Sequence, residues 1–339
     1  MWFNKRLTIA ALIVVSVCSL SLVAKQTSLP LVGILSQPFV FGPDADNALN
    51  YPGTGMAYNY ILGAYEKYVR STGAQAVSVH FDAPPSRLVD LLSSLDGIIL
   101  PGGVIGKTDD DQLTDTIRFI VHWAKQRNDS GNRFFIMAIC KGMEKLLEVE
   151  SKDPSLLKCG YEHYTQAPVA LDTAVIAKTS YFNRLGANRL KETLETNQVM
   201  FTHNCSVSAS DFRSNKHLAV GYHLVGTSQK NENDRIFVAL VENKKYPFIG
   251  MQFHPEEAIY KKSKVAINQE RSALTLHRDF LARYLPIYEG SDQQKQPEEL
   301  PHYVQLNLMW KDIPVVQMGM VAGGLYLYKR AGLQRQPQV

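Results

Sequence analysis

The sequence predicts an α/β fold, a mostly parallel central sheet flanked by helices on both faces. Three observations predict it. From Leu31 to Glu150, short apolar runs of strand length alternate with segments of helical periodicity. One such run, FFIMAI, stops at Cys140 and gives way at once to a helical pattern from Lys141, so a cysteine sits on a tight strand-to-helix turn. Two further runs end in chemically loaded turns, LPGG and MQFHPEE, and in sheets of this kind active groups gather at the carboxyl ends of strands.

The elements follow in order. LVGILS, Leu31 to Ser36, is a buried strand, and PFVFGPDADNALNYPGTG is loop, rich in Gly, Pro, Asp and Asn. AYNYILGAYEKYVRSTGA carries Ile61, Leu62, Tyr65, Tyr68 and Val69 at helical spacing and is expected to be a helix closed by Gly73. QAVSVHF is a strand, SRLVDLLSSL a short helix, and GIIL a strand running into Pro101–Gly103. DQLTDTIRFIVHWAKQR is an amphipathic helix with Ile117, Ile120, Val121 and Ala124 on one side. Beyond Glu150 the segments VALDTAVIA, HLAVGYHLVGTS and RIFVALVENKKYPFIGMQF are expected to be extended, the last with a hairpin connection at ENKKYP. AINQERSALTLHRDFLARYL is expected to be the last helix of the domain, which ends near Leu285. Residues 286–300 form a polar linker, and the tail 301–339, which contains Pro314, is expected to pack back as strands rather than cross a membrane.

The composition is that of a globular chain, 45% hydrophobic and 20% charged over 339 residues, with a formal charge of +4. No long basic patch accompanies that excess, so no nucleic-acid partner is expected. The amino terminus differs from the rest. MWFNKR is a basic leader, and Leu7–Ala24 is an uncharged apolar run of 18 residues. This is the layout of a secretory signal cleaved near Ala24, with an uncleaved signal anchor as the alternative. Residues 1–24 are therefore assigned to a signal and the protein to the secretory route. Asn128 and Asn204 lie in the acceptor triplets NDS and NCS. Of the four cysteines, Cys18 belongs to the signal. The odd number left, Cys140, Cys159 and Cys205, suits one free thiol and one disulfide, and Cys159–Cys205 is the pair if Cys140 is free.

Cys140 at such a turn reads in two ways. Cysteine is often a small buried hydrophobe. On a sharp turn ahead of a helix, however, the unpaired N–H groups and positive dipole end favour the thiolate. The backbone N–H of Lys141 and that of Gly102 or Gly103 are then candidate oxyanion donors. The Lys141 side chain is expected to be solvated at the helix start. A base is supplied by His254 in FHPEE, with Glu256 two residues on to accept the proton of the other ring nitrogen. No cluster with metal-ligand spacing is present, and neither a metal nor another cofactor is expected.

These motifs carry a resemblance. LPGG, CKGME and YPFIGMQFHPEEAIY look like the class I glutamine amidotransferase-like, flavodoxin-like fold, and within it resemble the γ-glutamyl hydrolases, also called folylpolyglutamate hydrolases or conjugases. PLVGILSQP, YNYILGAYEKYVRSTGA and LLSSLDGIILPGG resemble the same family, over residues 30–285 in all. The resemblance implies Cys140 as nucleophile, His254 as base and then acid, and Glu256 as supporting carboxylate. FTHNCSVSASDF resembles the family's internal histidine segment, which implies His203 as a pocket residue, with Glu144 and Tyr60 beside it. It implies a small γ-glutamyl substrate of the folate polyglutamate class and a lysosomal, vacuolar or extracellular site, and it leaves a homodimer open. Three departures stand out: Ala138 where the family has Gly, Lys141 where it has an apolar residue, and Phe253 where it has Trp. The tail after Leu285 falls outside the resemblance. The competing functions are a glutaminase or amidotransferase subunit using the same residues, and a non-catalytic binding protein on the same fold. The first fits poorly with a secretory leader, the second with an intact Cys140, His254 and Glu256.

Overall fold

The computed structural model describes residues 29–40, 57–103, 110–196, 199–232, 234–256, 280–281, 304–306 and 325–328. The signal at 1–24, the linker at 286–300 and all of the last helix except Phe280 and Leu281 lie outside the described residues.

The main sheet has eight strands. Five are parallel: β1 (Leu31–Leu35), β4 (Gln75–Val79), β5 (Gly97–Leu100), β6 (Phe135–Ile139) and β12 (Phe248–Met251). Three continue it antiparallel: β11 (Phe237–Asn243), β10 (Tyr222–Ser228) and the short β8 (Ala170–Leu171), in the order β4-β1-β5-β6-β12-β11-β10-β8. The ENKKYP segment is the β11–β12 hairpin. Along β6 the side chains alternate between two cores: Phe135, Met137 and Ile139 face one, Ile136 and Ala138 the other. A strand buried on both faces must be apolar throughout, which is why FFIMAI reads as an unbroken run.

Helices α1 (Gly63–Arg70), α2 (Pro85–Ser94), α3 (Asp110–Asp129) and α4 (Lys141–Ser151) join the parallel strands. The first and third bury one stripe each, Tyr65, Tyr68 and Val69 on α1 and Ile117, Ile120, Val121 and Ala124 on α3, whereas α4 is buried all round from Lys141 to Leu147. Asn128 closes α3 by donating from its amide to the carbonyls of Ala124 (2.7 Å) and Phe134 (2.8 Å) and accepting from Phe134 N–H (3.1 Å). A glycan on that amide would give up one of these bonds, so the NDS triplet has a structural use of its own.

Four segments depart from the sequence expectations. Ala57–Leu62 is not the first part of a helix but a strand, β3, and Gln37–Val40, expected as loop, is β2 paired with it. The tail supplies β13 (Val304–Leu306) and β14 (Leu325–Tyr328) to the same small sheet, ordered β13-β14-β3-β2. Partners far away in sequence thus decide the state of Ala57–Leu62. Thr173–Ile176 (α5) and Lys216–Gly221 (α9) are helical rather than extended. Asp172 caps the first by accepting from Val175 N–H at 3.0 Å, and Asn215 caps the second by accepting from His217 and Leu218 N–H at 3.0 and 3.1 Å. Between them lie the short helices α6 (Phe182–Leu185), α7 (Ala187–Lys191) and α8 (Ala209–Ser214) and a π-helical turn, Glu192–Thr196.

The two remaining strands, β7 (Lys158–Ala167) and β9 (Val199–Ser206), form a separate antiparallel ribbon tied by the Cys159–Cys205 disulfide. Cys140 is the free cysteine among the described residues.

One buried carboxylate holds the α6 corner. Glu242 on β11 accepts from Ser180 N–H (2.7 Å), Ser180 Oγ–H (2.8 Å), Tyr181 N–H (2.9 Å) and Phe182 N–H (3.2 Å), and is 2% exposed. Glu242→Ala strands those donors in a dry site, where each unmet bond costs about 1–3 kcal/mol. The expected loss is roughly 3 kcal/mol or more, read as a lower denaturant midpoint, with Glu242→Gln losing less.

Candidate active site

Cys140 ends β6 and precedes α4 with φ 50° and ψ −116°, a backbone conformation costly for a residue with a Cβ. The turn is held on both sides. Cys140 N–H donates to the Met251 carbonyl at 2.8 Å, and Glu144 N–H to the Cys140 carbonyl at 3.0 Å. It also demands Gly142: a Cβ there would lie 1.9 Å from the Leu100 carbonyl oxygen, because the helix start presses on the end of β5. Ala138 is fully buried in the core with Ile136.

Four chain segments converge on the sulfur. His254 and Glu256 follow β12, and His254 Nδ1–H donates to Glu256 Oε1 at 2.7 Å, with 8% and 1% of the two side chains exposed. Nδ1 is thereby fixed as the protonated nitrogen, which leaves Nε2 for the thiol. From β9, the Thr202 carbonyl accepts from the thiol at 3.7 Å. From beyond β5, Gly102 packs so tightly that a Cβ on it would lie 2.8 Å from His254 Cε1 and 3.2 Å from Cys140 Cβ. From α4, the Lys141 N–H points at the sulfur and Glu144 approaches it.

Electrostatics in this dry pocket couple the groups. Burial pushes the Cys140 thiol up, the nearby His254 pulls it back down, and Glu144 adds to the rise. Burial would lower the His254 imidazole, yet the Glu256 carboxylate and the Cys140 sulfur together outweigh it and hold it well above its ordinary value. On balance the thiol stays above its ordinary value, with His254 offsetting only part of the effect of burial.

The expected residues are placed unevenly. Cys140, His254, Glu256, Gly102, Lys141 and Glu144 are brought together. The Lys141 side chain is 6% exposed, so the expectation of a solvated lysine is overturned. Glu144 is also buried, with Oε1 accepting from Gln252 Nε2–H at 2.8 Å. The Gly102 N–H donates to the Tyr65 hydroxyl at 2.7 Å, and a Cβ on Gly103 would meet the Gln37 side chain. His203 is buried on β9 beside Thr202, with its ring against Phe201 and Phe237 and Nδ1 2.9 Å from the Cys205 carbonyl. Tyr60 is buried on β3 opposite Gln37.

Two residues escaped sequence analysis. The Tyr65 hydroxyl accepts from Gly102 N–H at 2.7 Å and lies within reach of the Glu256 and Cys140 charges. Its burial, with the Glu256 and Cys140 charges, keeps the phenol well above its ordinary value and therefore neutral. It belongs to the apolar face of α1, and only its hydroxyl, which needs a partner when buried, hinted at more. Gln252 stands between Met251 and Phe253, an amide at a fully buried position. No group of His, Cys, Asp and Glu among the described residues could hold a metal, and no helix among them is long and apolar enough to cross a membrane.

Known proteins extend these observations. The chain is 26% identical over 246 residues to γ-glutamyl hydrolase B of Dictyostelium discoideum, covering 72% of this chain and 67% of that one. It is 26% identical over 269 residues to γ-glutamyl hydrolase 1 of Arabidopsis thaliana, covering 79% and 74%. With the γ-glutamyl hydrolase of Mus musculus the identity is 26% over 232 residues, covering 68% of each chain. The glutamine amidotransferase class-I family model matches residues 57–270, more than half of the sequence and the span that holds Tyr65, Gly102, Cys140, Glu144, His254 and Glu256. The chain belongs to the glutamine amidotransferase class-I family.

Proposed function

We propose that this protein is a cysteine hydrolase that cleaves γ-glutamyl amide bonds, with folate poly-γ-glutamates or related γ-glutamyl conjugates as substrates. The observation that carries the reading is the line Cys140–His254–Glu256, drawn tight at a strained strand-to-helix turn, in a chain whose curated relatives are named γ-glutamyl hydrolases. The Cys140 sulfur attacks the γ-carbonyl carbon while the thiol proton passes to His254 Nε2. The carbonyl oxygen becomes an oxyanion facing the amides of Lys141 and Gly103. As the tetrahedral species collapses, the imidazolium gives its proton to the leaving amine and the C–N bond breaks, leaving a thioester on Cys140. Water, deprotonated by His254, attacks the thioester, and the acid and the thiol are released. Glu256 holds the imidazole in the required tautomer throughout, and Tyr65 holds the Gly102 turn.

The disulfide Cys159–Cys205 supports the secretory route, since such bonds persist in oxidising compartments. Glu144, buried one helical turn from Cys140, is suited to pair with a cationic or N–H group beside the scissile carbonyl, and Lys141 to meet the free α-carboxylate that only a γ-linkage leaves there.

The test compares γ-linked and α-linked diglutamates and a pteroyl-polyglutamate, with products resolved by chromatography. Cleavage confined to the γ-linkage is expected, and equal cleavage of both linkages overturns the specificity. Glu144→Gln is expected to lower kcat/KM on γ-glutamyl peptides by tenfold or more, about 1.4 kcal/mol, through loss of one charged contact.

A further inference from the structure

The carboxamide of Gln252 spans the gap between the proposed nucleophile and a neighbouring carboxylate. Its Nε2 donates to Glu144 Oε1 at 2.8 Å and lies 3.8 Å from Cys140 Sγ, in hydrogen-bond range for sulfur. The residue has 0% exposure, and its Oε1 has no hydrogen-bond partner among the described residues. A glutamine present only as filler would turn to satisfy its oxygen. Here the amide nitrogen is spent on the two groups at the reaction centre, and the oxygen is left bare.

We infer that Gln252 is a positioning residue, one N–H fixing Glu144 and the other supporting the Cys140 sulfur, so that a carboxylate can stand beside the nucleophile without suppressing it. The inference rests on Cys140 being the nucleophile.

Several groups face that sulfur. His254 and Glu256 approach from beyond β12, Tyr65 from α1, Glu144 and Lys141 from α4, and the Thr202 carbonyl from β9, with His203 next along that strand. Among them, the Glu144 charge opposes thiolate formation and His254 favours it. A neutral amide donating to both sulfur and carboxylate offsets the repulsion, because hydrogen bonds to a charged form favour that form. The same contact locks the orientation in which Glu144 can serve the substrate. His254 protonates the leaving group, and Gln252 keeps the thiolate it needs accessible.

The experiment is alkylation of the full-length, disulfide-intact protein by iodoacetamide across pH, following the Cys140 peptide by mass spectrometry. This reads the thiol directly and needs no substrate. Gln252→Met removes both donors at similar volume and is expected to move the reactivity midpoint to higher pH, with about a tenfold lower rate at pH 7, the effect of one pKa unit. Gln252→Glu, isosteric with the native side chain, is expected to move it further the same way, and it carries the test if Gln252→Met does not fold. Adding Glu144→Gln to Gln252→Met is expected to bring the midpoint back toward wild type, because the repulsion is gone. Midpoints unchanged in the folded Gln252 variants, with turnover lost, would make Gln252 a packing residue and overturn the inference. An undiminished shift in the double variant would also overturn it, by showing that Glu144 is not what the amide offsets. Loss of the nucleophile assignment is a separate result, seen as turnover surviving in Cys140→Ala while the alkylation midpoints remain measurable.

Discussion

Cys140→Ala is expected to abolish hydrolysis of γ-glutamyl peptides, by roughly 10⁴-fold or more, with the fold intact. The methyl of alanine occupies the same strained φ of 50° as the native Cβ, so the turn keeps its geometry. What is lost is the sulfur that Thr202, Gln252 and His254 surround. Stability should change by no more than about 1 kcal/mol, since one small buried atom is removed. Cys140→Ser should be nearly as inactive, because the hydroxyl ionises far less readily than the thiol on which the pair with His254 is built. Turnover and circular dichroism on the same preparations give the answer. Substantial cleavage by Cys140→Ala would remove Cys140 as nucleophile, whatever the stability.

The central turn was legible in the sequence because its physics is local. An apolar run buried on both faces, a sudden change to helical period, and a small residue at Gly142 are all written within a few positions, and FHPEE is as compact. The convergence of LPGG, AICKG and MQFHPEE follows from the parallel sheet, in which β5, β6 and β12 are neighbours and end at the same rim. What escaped was set by distant partners. Ala57–Leu62 has apolar residues compatible with a helix, and only pairing with β2 and β14 makes it a strand. Thr173–Ile176 and Lys216–Gly221 are too short to show a period, and their helical state comes from one capping side chain each.

Within the site, the same distinction applies to polar groups on apolar faces. Tyr65 has the spacing of a core residue and packs as one, but its hydroxyl ends on Gly102 N–H. Glu144 and Lys141 lie where a helix start is usually wet, yet both are buried. For Glu144, Gln252 lies just past the end of β12 and supplies a hydrogen bond that offsets the cost of burying a carboxylate. The β7–β9 ribbon, outside the main sheet, brings Thr202 to the sulfur, and no periodicity in the sequence announces that contact.

His254→Asn is expected to lose several orders of magnitude in turnover, since in the proposed mechanism one imidazole both accepts the thiol proton and returns it to the leaving amine. Near-normal turnover in this variant would pass the base role to His203, and His203→Asn assayed alongside makes that comparison. Glu256→Gln should lose less, because orientation is only part of what the carboxylate gives, but its pH profile should change in a defined direction. In the wild type, Glu256 and the Cys140 sulfur raise the imidazole well above its ordinary value against the effect of burial. Without the Glu256 charge the imidazolium gives up its proton at lower pH, so the alkaline limb of kcat/KM, where the acid for the leaving group is lost, moves to lower pH. Stability follows the same sign. A group whose folded value is raised contributes stability that is complete below its unfolded value and fades as pH rises through the folded one. The wild type should therefore keep this contribution to higher pH than Glu256→Gln does. An alkaline limb that stays in place, or moves to higher pH, would mean that Glu256 does not hold the charge of His254 and that its 2.7 Å contact serves only the shape of the turn.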